Sequence, residues 1–277
     1  MSRLPSLFVS HGAPTFAIDP GTAGPSLTEL GRSLPRPQAV LMVSPHWMTS
    51  MPRVGTCAQP ATIHDFGGFD PALYQLSYPA AGHAALAQRT IAQLTKAGWP
   101  AQADERRGLD HGAWVPLLHL FPEADVPVFQ VSLPLQLDAR RAWAFGQALA
   151  PLAEEGVLIV GSGGLTHNLY EFRSAHGANE AYVAAFAGWV REAVEQGDNE
   201  RLLRTLDDAP HAQRAHPTAE HFWPLLIAAG AADAGDGAPQ GTVVAGGIAH
   251  GVLAMDSYAF GLAGAVHWTR EAPCAPI

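Results

Sequence analysis

The chain has 277 residues, of which 48% are hydrophobic and 15% charged. That is enough apolar material to bury a large core, which excludes a disordered chain, a collagen-like repeat and a small disulfide scaffold. Its formal net charge of -9 argues against nucleic-acid backbones and anionic membrane surfaces as standing partners, because the average surface repels both.

In chain order, the hydrophobic patterning predicts a strand over residues 6–10, a helix over 24–34, a strand over 39–44 and a helix over 83–97. A strand over 126–133, a helix over 139–155, a strand over 157–161, helices over 179–196 and 200–206 and a strand over 242–248 follow. Gly98 and Gly156 stand where helices should stop, and Pro151 is placed to end the 139–155 helix early. Short strands alternating with longer helices indicate an α/β fold, with a central mixed sheet flanked by helices on both faces. The 23 prolines are scattered and the loosest stretch, 231–240, is short enough to be a surface loop, so residues 1–277 are expected to form one domain.

The two cysteines, Cys57 and Cys274, lie too far apart for a cysteine cage or a disulfide framework. The apolar run 4–9 is too short for a secretory signal, and no stretch reaches the ~18 continuous apolar residues of a membrane span. A cytoplasmic protein is expected.

Among the 13 histidines, three fall at or just beyond the end of an apolar strand, where ligands bind in open α/β sheets. These are His11 in Val9-Ser10-His11-Gly12, His46 in Ser44-Pro45-His46-Trp47 and His167 in Gly163-Gly164-Leu165-Thr166-His167-Asn168. Neutral imidazole is both a common metal ligand and a proton carrier near neutral pH, so their convergence points to a metal site or a proton relay. Further candidates are His111 in Asp110-His111-Gly112-Ala113-Trp114, and His216 and His221 in His216-Pro217-Thr218-Ala219-Glu220-His221-Phe222-Trp223. His216 and His221 are five apart, not the four that would place both on one helix face as metalloprotease ligands. His64, in Ile63-His64-Asp65-Phe66-Gly67-Gly68-Phe69, sits in a loop suited to wall a flat aromatic ligand. His83, His119, His176, His211, His250 and His267 lack such context and are expected to be structural or exposed. No phosphate-binding fingerprint and no serine-hydrolase elbow is present.

Taken together, Ser10-His11-Gly12-Ala13-Pro14, Ser44-Pro45-His46-Trp47, Thr62-Ile63-His64-Asp65-Phe66-Gly67-Gly68-Phe69, Asp110-His111-Gly112-Ala113-Trp114, Gly163-Gly164-Leu165-Thr166-His167-Asn168-Leu169 and Pro217-Thr218-Ala219-Glu220-His221-Phe222-Trp223-Pro224 resemble, in order, signature stretches of the class III extradiol ring-cleavage dioxygenases, in the branch of the DOPA 4,5-dioxygenases. The resemblance spans about residues 6 to 226. It implies a mononuclear non-haem metal that takes a catechol through both hydroxyls with O2 beside it. His11, His46 and His221 would be the metal ligands. Glu220 is an alternative third ligand, because related enzymes outside the branch use two histidines and a glutamate; neighbours on a chain seldom point the same way, and His221 is preferred. His167 would be the acid/base residue, His111 a second imidazole on the substrate and oxygen side, and His64 a substrate-pocket residue. Fe(II) is expected for activity, with Zn(II) able to occupy the same site.

Two other readings compete. A zinc-dependent hydrolase could use the same three imidazoles, and a non-enzymatic binding protein could share the fold. The presence of His11, His46, His111, His167 and His221 together favours catalysis over the second. Expected partners are a small aromatic diol and O2, with no nucleic acid and no membrane, in a monomer or homodimer. Arg53, Arg173 and Arg214 are candidates for binding a substrate carboxylate.

Overall fold

Runs of Val, Leu, Ile, Phe and Ala too apolar for a half-exposed strand form the centre of the molecule, here a computed structural model that describes residues 3–172, 180–233, 235 and 240–262. In chain order the elements are β1 (Ser6–Ser10), α1 (Ala23–Ser33), β2 (Ala39–Thr49), β3 (Arg53–Gly55), α2 (Ala84–Lys96), β4 (Gln102–Asp104), α3 (His111–Leu120), β5 (Val128–Pro134), α4 (Ala139–Leu149) and β6 (Val157–Gly163). After these come the short helices α5 (Leu169–Phe172), the long α6 (Ala181–Gln196), α7 (Asn199–Leu203), α8 (Thr205–Asp208) and α9 (Ala212–Ala215), then α10 (Trp223–Ala232), β7 (Gly241–Ala245), β8 (Ile248–Ala249), β9 (Leu253–Ala254) and β10 (Ser257–Phe260).

Among the described residues, eight strands make one mixed sheet in the order β4-β3-β5-β2-β6-β1-β10-β7, and β8 and β9 pair separately. The middle four, β5, β2, β6 and β1, run parallel. β10 lies antiparallel to β1 and β7, and β3 antiparallel to β5. Every residue of β1, β5 and β6 is buried, as expected of parallel strands covered on both faces. Alternate residues of a strand point to opposite faces, and β6 shows which helix covers which. Added Cβ atoms at Gly161 and Gly163 would strike the backbone at Pro224 and His221, whereas the Ser162 hydroxyl bonds the Gly112 carbonyl. The segment leading into α10 therefore lies on one face and the start of α3 on the other, and the end of β6 is pinched between them.

The mixed sheet, its helical cover and most predicted elements are found, with shifted ends. β2 continues five residues beyond its expected end, through a bulge between Ser44 and Met48, so His46 lies within the strand rather than after it. The 139–155 helix stops at Leu149 and tightens into a 3-10 turn, Ala150–Glu155, which contains Pro151 and closes on Gly156 at φ 79°. The 200–206 helix is two short ones joined at Arg204. The 242–248 strand ends at Ala245, and Ile248 belongs to the small β8–β9 ribbon. The 179–196 helix begins at Ala181, Asn179 being outside the described residues. No helix among the described residues is long and apolar enough to cross a membrane.

Candidate metal centre

His11 is the first residue beyond β1 and is buried. The Ser162 hydroxyl gives its one proton to the Gly112 carbonyl, so its oxygen accepts from His11 Nδ1–H, 3.0 Å away. That fixes the ring with a lone pair on Nε2. His46, at the β2 bulge, faces it with Nε2 only 3.2 Å from His11 Nε2. The approach depends on Gly112 at the start of α3, because a Cβ there would fall 2.8 Å from His46 Cδ2 and closer still to the Ser44 hydroxyl. His221 enters from the other face of the sheet, two residues ahead of α10, with its carbonyl bonded by Gly164 N–H at 3.0 Å. Its Nδ1–H donates to Glu220 Oε1 at 3.1 Å, and its Nε2 is buried with no hydrogen-bond partner among the described residues.

One nitrogen from each of His11, His46 and His221 lies within 4.8 Å of the other two. Metal–imidazole bonds of about 2.0–2.1 Å at ordinary coordination angles leave nitrogens roughly 3.0–3.4 Å apart. The 3.2 Å between His11 and His46 falls in that range, and two facing nitrogens with an orphaned third call for a cation between them. The donor set fits a divalent metal.

The surroundings keep these rings uncharged. Burial, then repulsion from His46, His221, His111 and His167, holds His11 well below the usual histidine range, and burial followed by neighbouring imidazoles does the same to His221. His46 is lowered to about 4 by burial and then by His111, partly opposed by Asp110 and Asp65. Neutral imidazole is the form that binds metal.

Two further histidines complete the cluster. His167, in the loop after β6, stacks on His221 with ring centres 3.3 Å apart and planes 10° from parallel. Burial lowers it to about 4, against the opposing charge of Glu220, below the ordinary value that suggested it as a base. His111 opens α3 and lies 3.9 Å from His46, ring centre to ring centre. Its backbone N–H and Nδ1 both reach Asp65 Oδ1, each at 2.9 Å. His64 is set apart from these five. It bonds the Leu76 carbonyl through Nε2 at 3.0 Å and packs among Phe66, Tyr74 and Trp114, so its loop forms an aromatic wall beside His111, whose ring stands edge-on to Phe66 at 5.7 Å.

Three polar residues at the centre were not singled out for these contacts by sequence: Ser162 behind His11, Asp65 behind His111, and Glu220 behind His221. Glu220 Oε1 also accepts from the Thr218 hydroxyl at 2.9 Å. Ser162 and Asp65 carried no sequence signal beyond adjacency to a histidine motif, and Glu220 entered only as an alternative third metal ligand. Replacing Glu220 by Gln removes the charge that makes His221 a stronger donor, and metal affinity is expected to fall about 10- to 100-fold. Isothermal titration of metal-free protein with Zn(II) checks this, and an unchanged affinity would show that Glu220 does not act through His221.

Of the other sequence candidates, His216 is buried, bonds the Leu165 carbonyl at 2.8 Å and packs between Phe186 and Phe222. His83 caps α2, His119 bonds the Phe16 carbonyl, His250 bonds the Thr15 hydroxyl and His211 precedes α9. Arg53 pairs with Asp104, and Arg214 with Glu171 and Glu180. Arg173, His176, His267 and Cys274 lie outside the described residues.

Residues 7–252 match the family described as the catalytic LigB subunit of aromatic ring-opening dioxygenase. The chain is 42% identical over 231 residues to a 4,5-DOPA dioxygenase extradiol of Beta vulgaris, covering 82% of this chain and 86% of that protein. It is 39% identical over 266 residues to one of Escherichia coli strain K12, covering 94% and 96%. A crystal structure of an uncharacterized protein from Escherichia coli K12 superposes with a TM-score of 0.75 at 34% identity, over 94% of this chain and all of that one. With a histidine cluster built at the strand ends and a family match running through it, the chain belongs to the LigB-type extradiol dioxygenases and is an aromatic ring-opening oxidoreductase.

Proposed function

We propose that this enzyme opens the ring of a catechol, DOPA-like or another small 1,2-dihydroxybenzene, with O2 at one divalent metal held by His11, His46 and His221. The observation that carries the reading is the meeting of three neutral imidazole nitrogens within 4.8 Å, drawn from β1, β2 and the approach to α10. The similarity to proteins named 4,5-DOPA dioxygenase extradiol supports the substrate class. Bound Fe(II) would supply open coordination positions for the two catechol oxygens and O2, and a redox path between them.

The chain's own residues bind, orient and move protons. His167 is uncharged near neutral pH because burial lowers it, so a ring nitrogen is free to take a proton from a catechol hydroxyl, and the resulting imidazolium can return it later. His111 presents its imidazole on the oxygen side. His64, Phe66 and Tyr74 give the flat ring an apolar wall. The working unit is the single domain of residues 1–277, acting in the cytoplasm as a monomer or homodimer, with no nucleic-acid or membrane partner.

The test is to load metal-free protein with Fe(II) without air, add DOPA or another catechol, and admit oxygen. Expected is O2 uptake matching the appearance of a yellow ring-opened semialdehyde. Iron-loaded protein that consumes no O2 across a panel of catechols would overturn the proposal. Zinc found in purified protein would not, because imidazole sites bind Zn(II) more tightly than Fe(II).

A further inference from the structure

We infer that Asp65 is a positioning residue that acts through His111, holding that imidazole with its proton on Nδ1 and its lone pair on Nε2; the catalytic part of this assignment rests on the dioxygenase reading above. One carboxylate oxygen, Asp65 Oδ1, accepts from both the backbone N–H and the ring Nδ1–H of His111, each at 2.9 Å. The other, Oδ2, lies 3.9 Å from Nδ1 of His46. A single acid thus stands behind two imidazoles of the cluster. An anion on the Nδ1 side favours a proton there and leaves Nε2 as the acceptor.

This acid is held in place by its own loop. Its loop is fastened to the residues leading into α3 by hydrogen bonds from Ile63 N–H to Leu109 O and from Leu109 N–H to Ala61 O, both at 2.8 Å, and by Trp114 Nε1–H to Ile63 O at 2.9 Å. The next residue, Phe66, stands perpendicular to the His111 ring. His111 opens α3, so its backbone N–H is one of the four that a helix start leaves without an internal partner. The N-cap, Asp110, takes Ala113 N–H instead. Asp65 supplies the remaining acceptor, and a negative charge at this helix end is favourable. The two hydrogen bonds that its oxygen accepts from His111 favour the carboxylate form of Asp65 over the acid.

A plain tether would need only an acceptor, whereas a positioning role needs control of the ring proton, and the two can be separated in the full chain. In Asp65→Ala the acceptor and the charge are both gone. In Asp65→Asn the amide oxygen must stay on the His111 backbone N–H, because the amide nitrogen would set donor against donor, so the Nδ1–H bond survives without the charge. Imidazole 15N NMR of zinc-loaded protein reads the His111 tautomer directly, and steady-state kinetics of iron-loaded protein read its use.

Expected is an Nδ1–H tautomer in the parent protein and in Asp65→Asn, with a mixture containing Nε2–H in Asp65→Ala. For Asp65→Ala, kcat falls about 100-fold or more, within the range of a general acid or base, while KM for the catechol moves by less than about 3-fold. Asp65→Asn recovers most of that loss, and Asp65→Ala adds nothing further in a His111→Ala background. Asp65→Ser, too short to reach Nδ1, replaces the alanine variant if that does not fold. An unchanged tautomer in Asp65→Ala, or a full additional loss in the His111→Ala background, would overturn the assignment. If the parent iron-loaded protein takes up no O2, the dioxygenase reading fails, and the tautomer comparison still decides what Asp65 does.

Discussion

Metal-free protein is expected to lose its fold between about pH 6 and pH 4, as a cooperative acid transition set by its buried histidines. His46, His167 and His216 are lowered to about 4, and His11 and His221 lie well below their ordinary range, burial being the largest cause in each. In the unfolded chain each returns to about 6.5. The unfolded state therefore binds more protons throughout this window, and stability present above pH 6.5 is lost as pH falls. All five groups act in this same direction, so their contributions add as the pH falls. A whole domain is stable by only about 5–15 kcal/mol. The ionised Asp65, lowered to about 2, adds a loss of the same sign at more acid pH. Near-UV circular dichroism followed from pH 8 to pH 3 checks the expectation. A metal-free fold that persists unchanged to pH 4 would show that these imidazoles titrate freely.

The second large effect is on metal retention. His221→Ala is expected to weaken metal binding by more than about 100-fold, beyond what the loss of an outer partner produces, and to abolish iron-dependent O2 uptake. His221 is the proposed ligand whose Nε2 has no hydrogen-bond partner among the described residues, and with it gone His11 and His46 would offer only two nitrogens. Thermal unfolding with and without added metal gives a readout independent of turnover. A ligand at 100 times its dissociation constant stabilises by about 2.7 kcal/mol, so the parent protein should melt several degrees higher with Zn(II) present, and the variant should not. An equal shift in both would remove His221 from the ligand set and reopen the question of Glu220.

The gathering of His11, His46 and His167 was legible from their places at the ends of apolar strands, whereas His221 as a third ligand and the roles of His111 and His64 were legible only through the family resemblance. His11 and His167 follow β1 and β6 as the strand pattern required. The partners behind the rings were not legible. Ser162 meets His11 across 151 positions of chain, and Asp65 meets His111 across 46, so which hydroxyl or carboxylate stands behind a ring is decided by tertiary approach. Elements were missed for physical reasons too. α3 and α10 are buried on nearly every face and so lack the one-sided stripe that marks a surface helix. β3 and β4 have three residues each, too few to show a period. The extension of β2 through Pro45 depends on a bulge that residue patterning does not announce.

The rear tethers of the rings have a consequence for how the enzyme acquires its cation. Ser162 holds His11 from behind, and Glu220 holds His221 in the same way, so the placement of these two rings is set by the scaffold rather than by a bound ion. Such a cradle should survive chelation and accept cobalt, manganese or nickel on reconstitution, because imidazole tolerates all of them. Which one is carried in a living cell would then be decided by abundance at the time of folding, and swapped-metal preparations should differ in turnover far more than in architecture.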